Sequence, residues 1–155
     1  MSAPADHIDH IMAVMPLAFD PQFGEAWTRR QVEDALVLGN CHYALAMQED
    51  RCVGFYLSRF AYDEEELLLL GVIPSARRNG YGADLLAQFL AGARSRSAIR
   101  ALLEMRQGNP AGNLYRRFGF DQIGVRPHYY RGKDGERRDA LTFACKLQPD
   151  HKATD

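Results

Sequence analysis

Gly71-Val72-Ile73-Pro74-Ser75-Ala76-Arg77-Arg78-Asn79-Gly80-Tyr81-Gly82 joins an apolar run to an amphipathic one. The run before it, Glu66 to Ile73, is almost continuously apolar, too short for a buried helix, and closed by Pro74, so it reads as a central strand. After Gly82, Leu85, Leu86, Phe89 and Leu90 recur at helical spacing to about Arg94. The segment is therefore strand, loop, helix. Successive N–H groups at a helix N-terminus have no partner within the helix and carry the positive end of its dipole, so they bind phosphate well. Gly80 and Gly82 remove the Cβ atoms that would hold a pyrophosphate off, while Arg77 and Arg78 add charge and forked donors. The loop is neither GxxxxGK[ST] nor GxGxxG. On residues alone two readings stand: a phosphate cradle, or a glycine-rich connection with incidental arginines.

Working outward, Ile8, Ile11, Met12 and Met15 lie near helical spacing, and Asp20-Pro21 ends that run. Thr28 reads as the N-cap of a second, short helix carrying Val32, Ala35 and Leu36, which stops by Gly39-Asn40. Cys41 to Met47 and Cys52 to Phe60 read as an antiparallel hairpin. Beyond the central helix, Ile99 to Met105 is a strand, Asn109-Pro110 starts a helix that Gly119 ends, and Phe120 to Tyr130 and Ala140 to Leu147 are final strands around a Gly132-Lys133-Asp134-Gly135 turn. The order ααββ-β-α-β-α-ββ predicts an α/β (α+β) domain, a mixed sheet with helices on its faces. One domain over residues 1–155 is expected, with its core from about 5 to 148 and a disordered tail over 149–155.

Composition narrows the function classes. Hydrophobic residues at 46% and charged residues at 25% are ordinary for a globular protein, and no run approaches the roughly 18 apolar residues of a membrane span. Met1 to His7 lacks a basic region followed by an apolar one, so a cytoplasmic location is expected. Cys41, Cys52 and Cys145 form an odd set without CxxC spacing, which points away from a disulfide framework and from a metal site. The net charge of −1 conceals a segregation: residues 1–76 carry 4 basic and 12 acidic side chains, residues 77–138 carry 13 basic and 5 acidic. Either a cationic substrate meets the first region and a polyanion the second, or the two sets intermix once folded. No aromatic-basic motif marks nucleic-acid binding, so contact with RNA would be incidental.

Two side chains outside the loop carry chemistry. Glu104 ends an otherwise apolar strand, where a carboxylate is costly unless it faces solvent or a cleft. It either pairs with Arg106 or a neighbour, or serves a site. Tyr115 is either a core aromatic with its hydroxyl at a rim, or a proton donor. Acetyl transfer from a thioester to an amine requires that the ammonium lose a proton, that the oxyanion be held, and that the thiolate be able to accept a proton. Glu104, backbone N–H groups near Val72, and Tyr115 match those three needs in turn.

From about Glu65 to Leu147 the chain resembles the GNAT acetyltransferases, and within them the RimI group of bacterial ribosomal-protein alanine N-acetyltransferases. The resemblance rests on Gly71-Val72-x-Pro74, Arg77-x-x-Gly80-x-Gly82, Leu103-Glu104-Met105-Arg106, Leu114-Tyr115-x-x-x-Gly119-Phe120, and Arg126-x-x-Tyr129-Tyr130 followed by Asp139-Ala140. It implies a mostly antiparallel sheet of six to seven strands with a V-shaped split between the two central ones. It also implies acetyl-CoA as co-substrate, no metal, and direct attack through a tetrahedral intermediate. By carry-over, Leu70, Gly71 and Val72 bind the acyl-pantetheine end, Arg77, Arg78, Asn79, Gly80, Tyr81 and Gly82 the pyrophosphate, and Asn109 the pantetheine arm. Glu104 takes the place of the general base and Tyr115 that of the general acid. Two departures stand out: Asn109 to Tyr115 is one residue shorter than the family interval, and Trp27, in Gly24-Glu25-Ala26-Trp27-Thr28, has no proline beside it.

The acceptor expected from this resemblance is a protein N-terminus with a small first residue, a ribosomal protein among the candidates. It would enter between the first two helices, with Trp27, and the Tyr129-Tyr130 hairpin. Adjacent strand residues point to opposite faces, so only one of the two tyrosines is expected to line the groove. Two other readings remain at this point. A GNAT enzyme for a small amine or a lysine would want acidic residues on the substrate side, and Asp63-Glu64-Glu65-Glu66 keeps that open. A non-catalytic CoA-binding module would not need both Glu104 and Tyr115.

Overall fold

The computed structural model describes residues 4–147, so the expected tail over 149–155 lies outside the described residues. Helix α1 (Ala5–Ala18) turns Ile8, Ile11, Val14 and Met15 inward. Helix α2 (Arg29–Val37) starts at the expected cap: Thr28 Oγ1 accepts from Gln31 N (3.2 Å) and Gln31 Oε1 accepts from Thr28 N (2.7 Å), a reciprocal pair that satisfies two otherwise free donors. Then come β1 (Cys41–Gln48), β2 (Arg51–Ala61), β3 (Glu64–Val72), α3 (Tyr81–Ser95), β4 (Arg100–Arg106), α4 (Gly112–Arg117), β5 (Asp121–Arg131) and β6 (Arg137–Lys146).

The six strands lie in the order β1-β2-β3-β4-β6-β5. All neighbours are antiparallel except β3 and β4, which are parallel because α3 carries the chain back across the sheet. Helices α1 and α2 bury Val53, Phe55, Leu57 and Leu69 on one face. Helix α3 buries Tyr56, Leu67, Leu103 and Phe143 on the other. This is the mixed sheet with helices on its faces that the order of elements predicts, and the mostly antiparallel one that the family resemblance implies.

The decisive irregularity sits in the middle. Leu57 pairs with Leu69 but Ser58 pairs with Leu67, so Leu68 is an extra residue in β3. A bulge bends a strand and resets its alternation. Accordingly Leu67 packs under α3 whereas Leu69, two residues on, packs under α1. Pairing of β3 with β4 stops at the same point, Leu67 opposite Leu103. Strand β4 stays zipped to β6 as far as Arg106 opposite Ala140, so the opening lies between β3 and β4. That is the expected V-shaped split.

One expectation shifts, and one of the two readings of the charge segregation is favoured. The helix expected from Asn109 begins at Gly112, because Asn109 Oδ1 accepts from Ala111 N (2.9 Å) and holds a turn there instead. The segregated charges partly consume each other: Arg96 meets Glu65 (2.8 Å), Arg100 meets Glu64 (2.6 Å) and Arg106 meets Glu25 (3.5 Å), each joining the acidic first region to the basic second. With Arg59 on Glu66 (2.9 Å), the three glutamates of the acidic run are all paired, so they do not form a free acidic wall.

Candidate active site

The split opens into a cleft of about 440 Å³, walled by Leu67 to Leu70 on one side and by Leu103, Glu104 and Met105 on the other. Past Leu67, the edge of β3 that faced β4 has no strand partner, through Leu70, Gly71 and Val72. Apart from Val72 O, which Arg77 Nε occupies, main-chain groups on that edge are available to an extended ligand running between the strands. Gly71 also lets the chain pass under the end of α1; a Cβ on it would meet the Ala18 Cβ at 2.8 Å and the Phe19 ring at 2.9 Å.

Beyond β3, Gly80 stands in the left-handed conformation (φ 83°) as the N-cap of α3 and offers no side-chain acceptor. Asp84 N is the first amide bonded back into the helix, to Gly80 O, which leaves the amides of Tyr81, Gly82 and Ala83 to a ligand. Asn79 Nδ2 braces the loop by donating to Ala76 O (3.0 Å) and Arg77 O (3.3 Å). Arg77 has a different task from the one its charge suggests: Nε donates to Val72 O (3.0 Å) and Nη2 to Ala18 O (3.2 Å), tying the end of β3 to the end of α1. Arg78 is exposed at φ 66°. The loop fits an anion through its backbone, with Arg77 as a brace.

Glu104 lies in the cleft wall, and its Oε2 is held twice: Arg126 Nε reaches it at 2.7 Å and the Thr142 hydroxyl donates at 3.2 Å. Tyr115 is 6% exposed, edge-on to Phe120, and lines the same cleft. Burial first, then the negative charge of Glu25, pushes its hydroxyl well above the ordinary tyrosine range, so it remains a proton donor at every physiological pH. Asn109 lines the cleft with Tyr115, so the shortened interval between them does not separate the two.

Tyr129 and Tyr130 both line the cleft, contrary to the alternation expected of neighbours on a strand. The register of β5 slips between Arg126 and Tyr130, His128 takes φ 56°, and its N–H donates to Asp139 Oδ1 (2.9 Å). The irregularity turns both rings to one side, 5.3 Å apart. Burial, with Glu25 and Glu104 nearby, pushes Tyr130 up to about 12.

The α1–α2 connection forms the facing wall, including Glu25 and Trp27. It is fastened to the β5–β6 turn: Lys133 N donates to Gln22 O (3.0 Å) and Gln22 Nε2 to Asp134 Oδ2 (3.3 Å). Gly24, at φ 67°, passes so close to Arg131 O that a Cβ would sit 2.9 Å from it. Glu25 and Thr142 escaped the sequence reading. An acid beside the loop tryptophan was the available signal for Glu25; nothing in the sequence tells that Thr142 stands opposite Glu104.

A split strand pair, an amide-rich helix start and a carboxylate–tyrosine cleft coincide with a family match. The profile described as the acetyltransferase (GNAT) family matches residues 11–120. The chain belongs to the GNAT acetyltransferase family. It is 34% identical over 101 residues to the [ribosomal protein bS18]-alanine N-acetyltransferase of Haemophilus ducreyi, covering 64% of this chain and 70% of that one. Its backbone superposes with a TM-score of 0.85 on the ribosomal-protein-S18-alanine N-acetyltransferase of Escherichia coli, at 22% identity, over 100% of this chain and 97% of that one. An aminoglycoside 6′-N-acetyltransferase complexed with coenzyme A superposes at 0.77 and 17% identity, over 96% and 95%. The GNAT fold is thus shared with an enzyme for a small amine, and the choice of acceptor has to come from the site.

Proposed function

We propose that this GNAT enzyme transfers acetyl from acetyl-CoA to the N-terminal α-amino group of a protein, and that a ribosomal protein beginning with alanine is its acceptor. The observation that carries the reading is the cleft itself, where Glu104 and Tyr115 meet two adjacent tyrosines and a tryptophan. The relative from Haemophilus ducreyi adds the class of acceptor.

Acetyl-CoA supplies an activated acyl group as a thioester. The unpaired edge of β3 and the free amides of α3 support its binding along the split, with Leu70, Gly71 and Val72 at the acyl end and Asn109 on the pantetheine arm. Glu104 accepts a proton from the incoming ammonium, directly or through water. The amine nitrogen forms a bond to the acyl carbon, the amide N–H of Val72 bears the oxyanion, and the C–S bond breaks as the tetrahedral species collapses. Tyr115 gives its proton to the departing sulfur. A thiol of pKa about 8.5 leaves readily, so that last proton matters less than the first.

An α-amino group, with pKa near 7.7–8.0 against about 10.4 for lysine, suits a single carboxylate base at pH 7. Tyr129 and Tyr130 offer flat faces and hydroxyls to an extended peptide. A cytoplasmic location goes with this acceptor, and Cys41, Cys52 and Cys145 are all free thiols. The test is thiol release from acetyl-CoA with Ala-, Ser-, Met- and Pro-initiated peptides, an N-blocked lysine peptide, and spermidine. Ala- and Ser-initiated peptides are expected to turn over fastest; faster turnover of the blocked peptide or spermidine than of every free N-terminus would overturn the assignment.

A further inference from the structure

We propose that Glu25 is a second carboxylate of the acceptor site, one that holds the substrate ammonium while Glu104 takes its proton. The proposal rests on the amine-acceptor reading above and adds a specificity residue to it.

The two carboxylates of the cleft are differently placed. Glu104 Oε2 is committed to Arg126 and Thr142. The Glu25 side chain is 15% exposed and lines the cleft, yet among the described residues no short hydrogen bond holds its carboxylate. Its one cation is Arg106, whose Nε stands 3.5 Å away and is itself buried without a hydrogen-bond partner. The contact is an ion pair without an aligned N–H. Arg106 is turned elsewhere: its guanidinium stacks 3.7 Å over the Phe23 ring, and Nη1 donates to Gln107 O (3.4 Å). A mostly buried carboxylate with open lone pairs is a place for a ligand that brings donors, and an ammonium brings three.

Glu25 also stands near the groups that carry the chemistry. Its charge acts on the Tyr115 hydroxyl, and on that of Tyr130 together with Glu104. Burial raises the Glu25 pKa, outweighing Arg106, so a second cation at the carboxylate would favour its charged form. The fastening of residues 22–24 to the β5–β6 turn keeps it there: Lys133 N on Gln22 O, and Gly24 against Arg131 O. An ammonium between Glu25 and Glu104 meets one carboxylate free to bind it and another already oriented by Arg126 and Thr142.

Two peptides identical except that one lacks the N-terminal amine separate holding from proton transfer. Their affinities are measured calorimetrically at pH 7 with CoA bound, so that no turnover occurs. The parent should prefer the free amine at least about tenfold, close to the effect of one charge-assisted contact. Glu25→Gln should reduce that preference below about threefold while CoA affinity is unchanged, and raise the peptide KM more than it lowers kcat. Glu104→Gln should retain the preference and lose turnover. A preference that survives intact in Glu25→Gln, or that vanishes equally in Glu104→Gln, overturns the proposal. Should Glu25→Gln fail to fold, Glu25→Asp decides: a preference below the parent's supports the role and an unchanged one overturns it. If spermidine proves the better substrate, the peptide reading falls while Glu25 is still judged, by whether Glu25→Gln raises the spermidine KM about tenfold or leaves it alone.

Discussion

The two halves of the cleft are built from different materials. The half proposed for acetyl-CoA, from Leu68 through the start of α3, offers main chain: an unpaired strand edge and three helix amides, with side chains such as Asn79 and Arg77 serving as braces. The half proposed for the acceptor offers side chains: Glu25 and Trp27 from the α1–α2 connection, Glu104 from β4, Tyr115 from α4, Tyr129 and Tyr130 from β5. A backbone site tolerates most sequence changes so long as its geometry survives, which suits a co-substrate common to a whole family. A side-chain site can be rebuilt one residue at a time, which suits an acceptor that varies.

The sharpest way to separate the halves is to damage one and measure the other. Glu104→Gln should lower kcat by roughly 10²–10⁴-fold at neutral pH, the usual scale for a positioned proton transfer, with acetyl-CoA affinity nearly unchanged. The deficit should shrink toward high pH, where free amine is abundant. A pH–rate profile that overlays the parent would make Glu104 a structural residue.

On the donor side, Gly82→Val should weaken acetyl-CoA binding by more than about tenfold, or about 1.4 kcal/mol, without altering peptide affinity. Its Cβ would make only ordinary contact with the Leu114 side chain, 3.5 Å away, so the fold should tolerate it. Calorimetry showing full acetyl-CoA affinity would remove the loop from the donor site. Arg77→Ala should act differently from a lost surface charge. It removes the hydrogen bonds to Val72 O and Ala18 O, so its effect on affinity should persist at high salt, where a purely electrostatic contribution is screened.

The smallest effect is on stability. Burial raises the Glu25 pKa above 4.5, so the fold favours its neutral form. The associated stability is present below the ordinary carboxylate value and is lost as pH rises through the raised one. Glu25→Gln, permanently neutral, should therefore melt slightly above the parent at pH 7 and converge with it in acid. A lower melting temperature at pH 7 would make the Arg106 pair a structural asset rather than a tension kept for binding.

Much of the donor half was legible in the sequence because its signals are local. A proline after an apolar run and two glycines before a helical period each determine conformation within one or two turns of chain. The acceptor half was legible only as types of residue. Tyr129 and Tyr130 were readable as a pair, but their facing was not, since it depends on a slip of β5 against β6 and on Asp139 receiving the His128 amide.

The order of elements and the strand–loop–helix around Gly71 to Gly82 are legible in the residues alone. These follow from periodicity and turn chemistry, which act over a few residues. The family resemblance implied a split between these strands, but the bulge at Leu68 that opens it is defined by the register of β3 against β2. Packing of the helices and loops brought Glu25 to the cleft, across about eighty residues of chain from Glu104, and gave Arg77 to the backbone instead of to solvent. Contacts at that separation carry no periodic signal; they exist once the helices have packed and the loops have been fastened together.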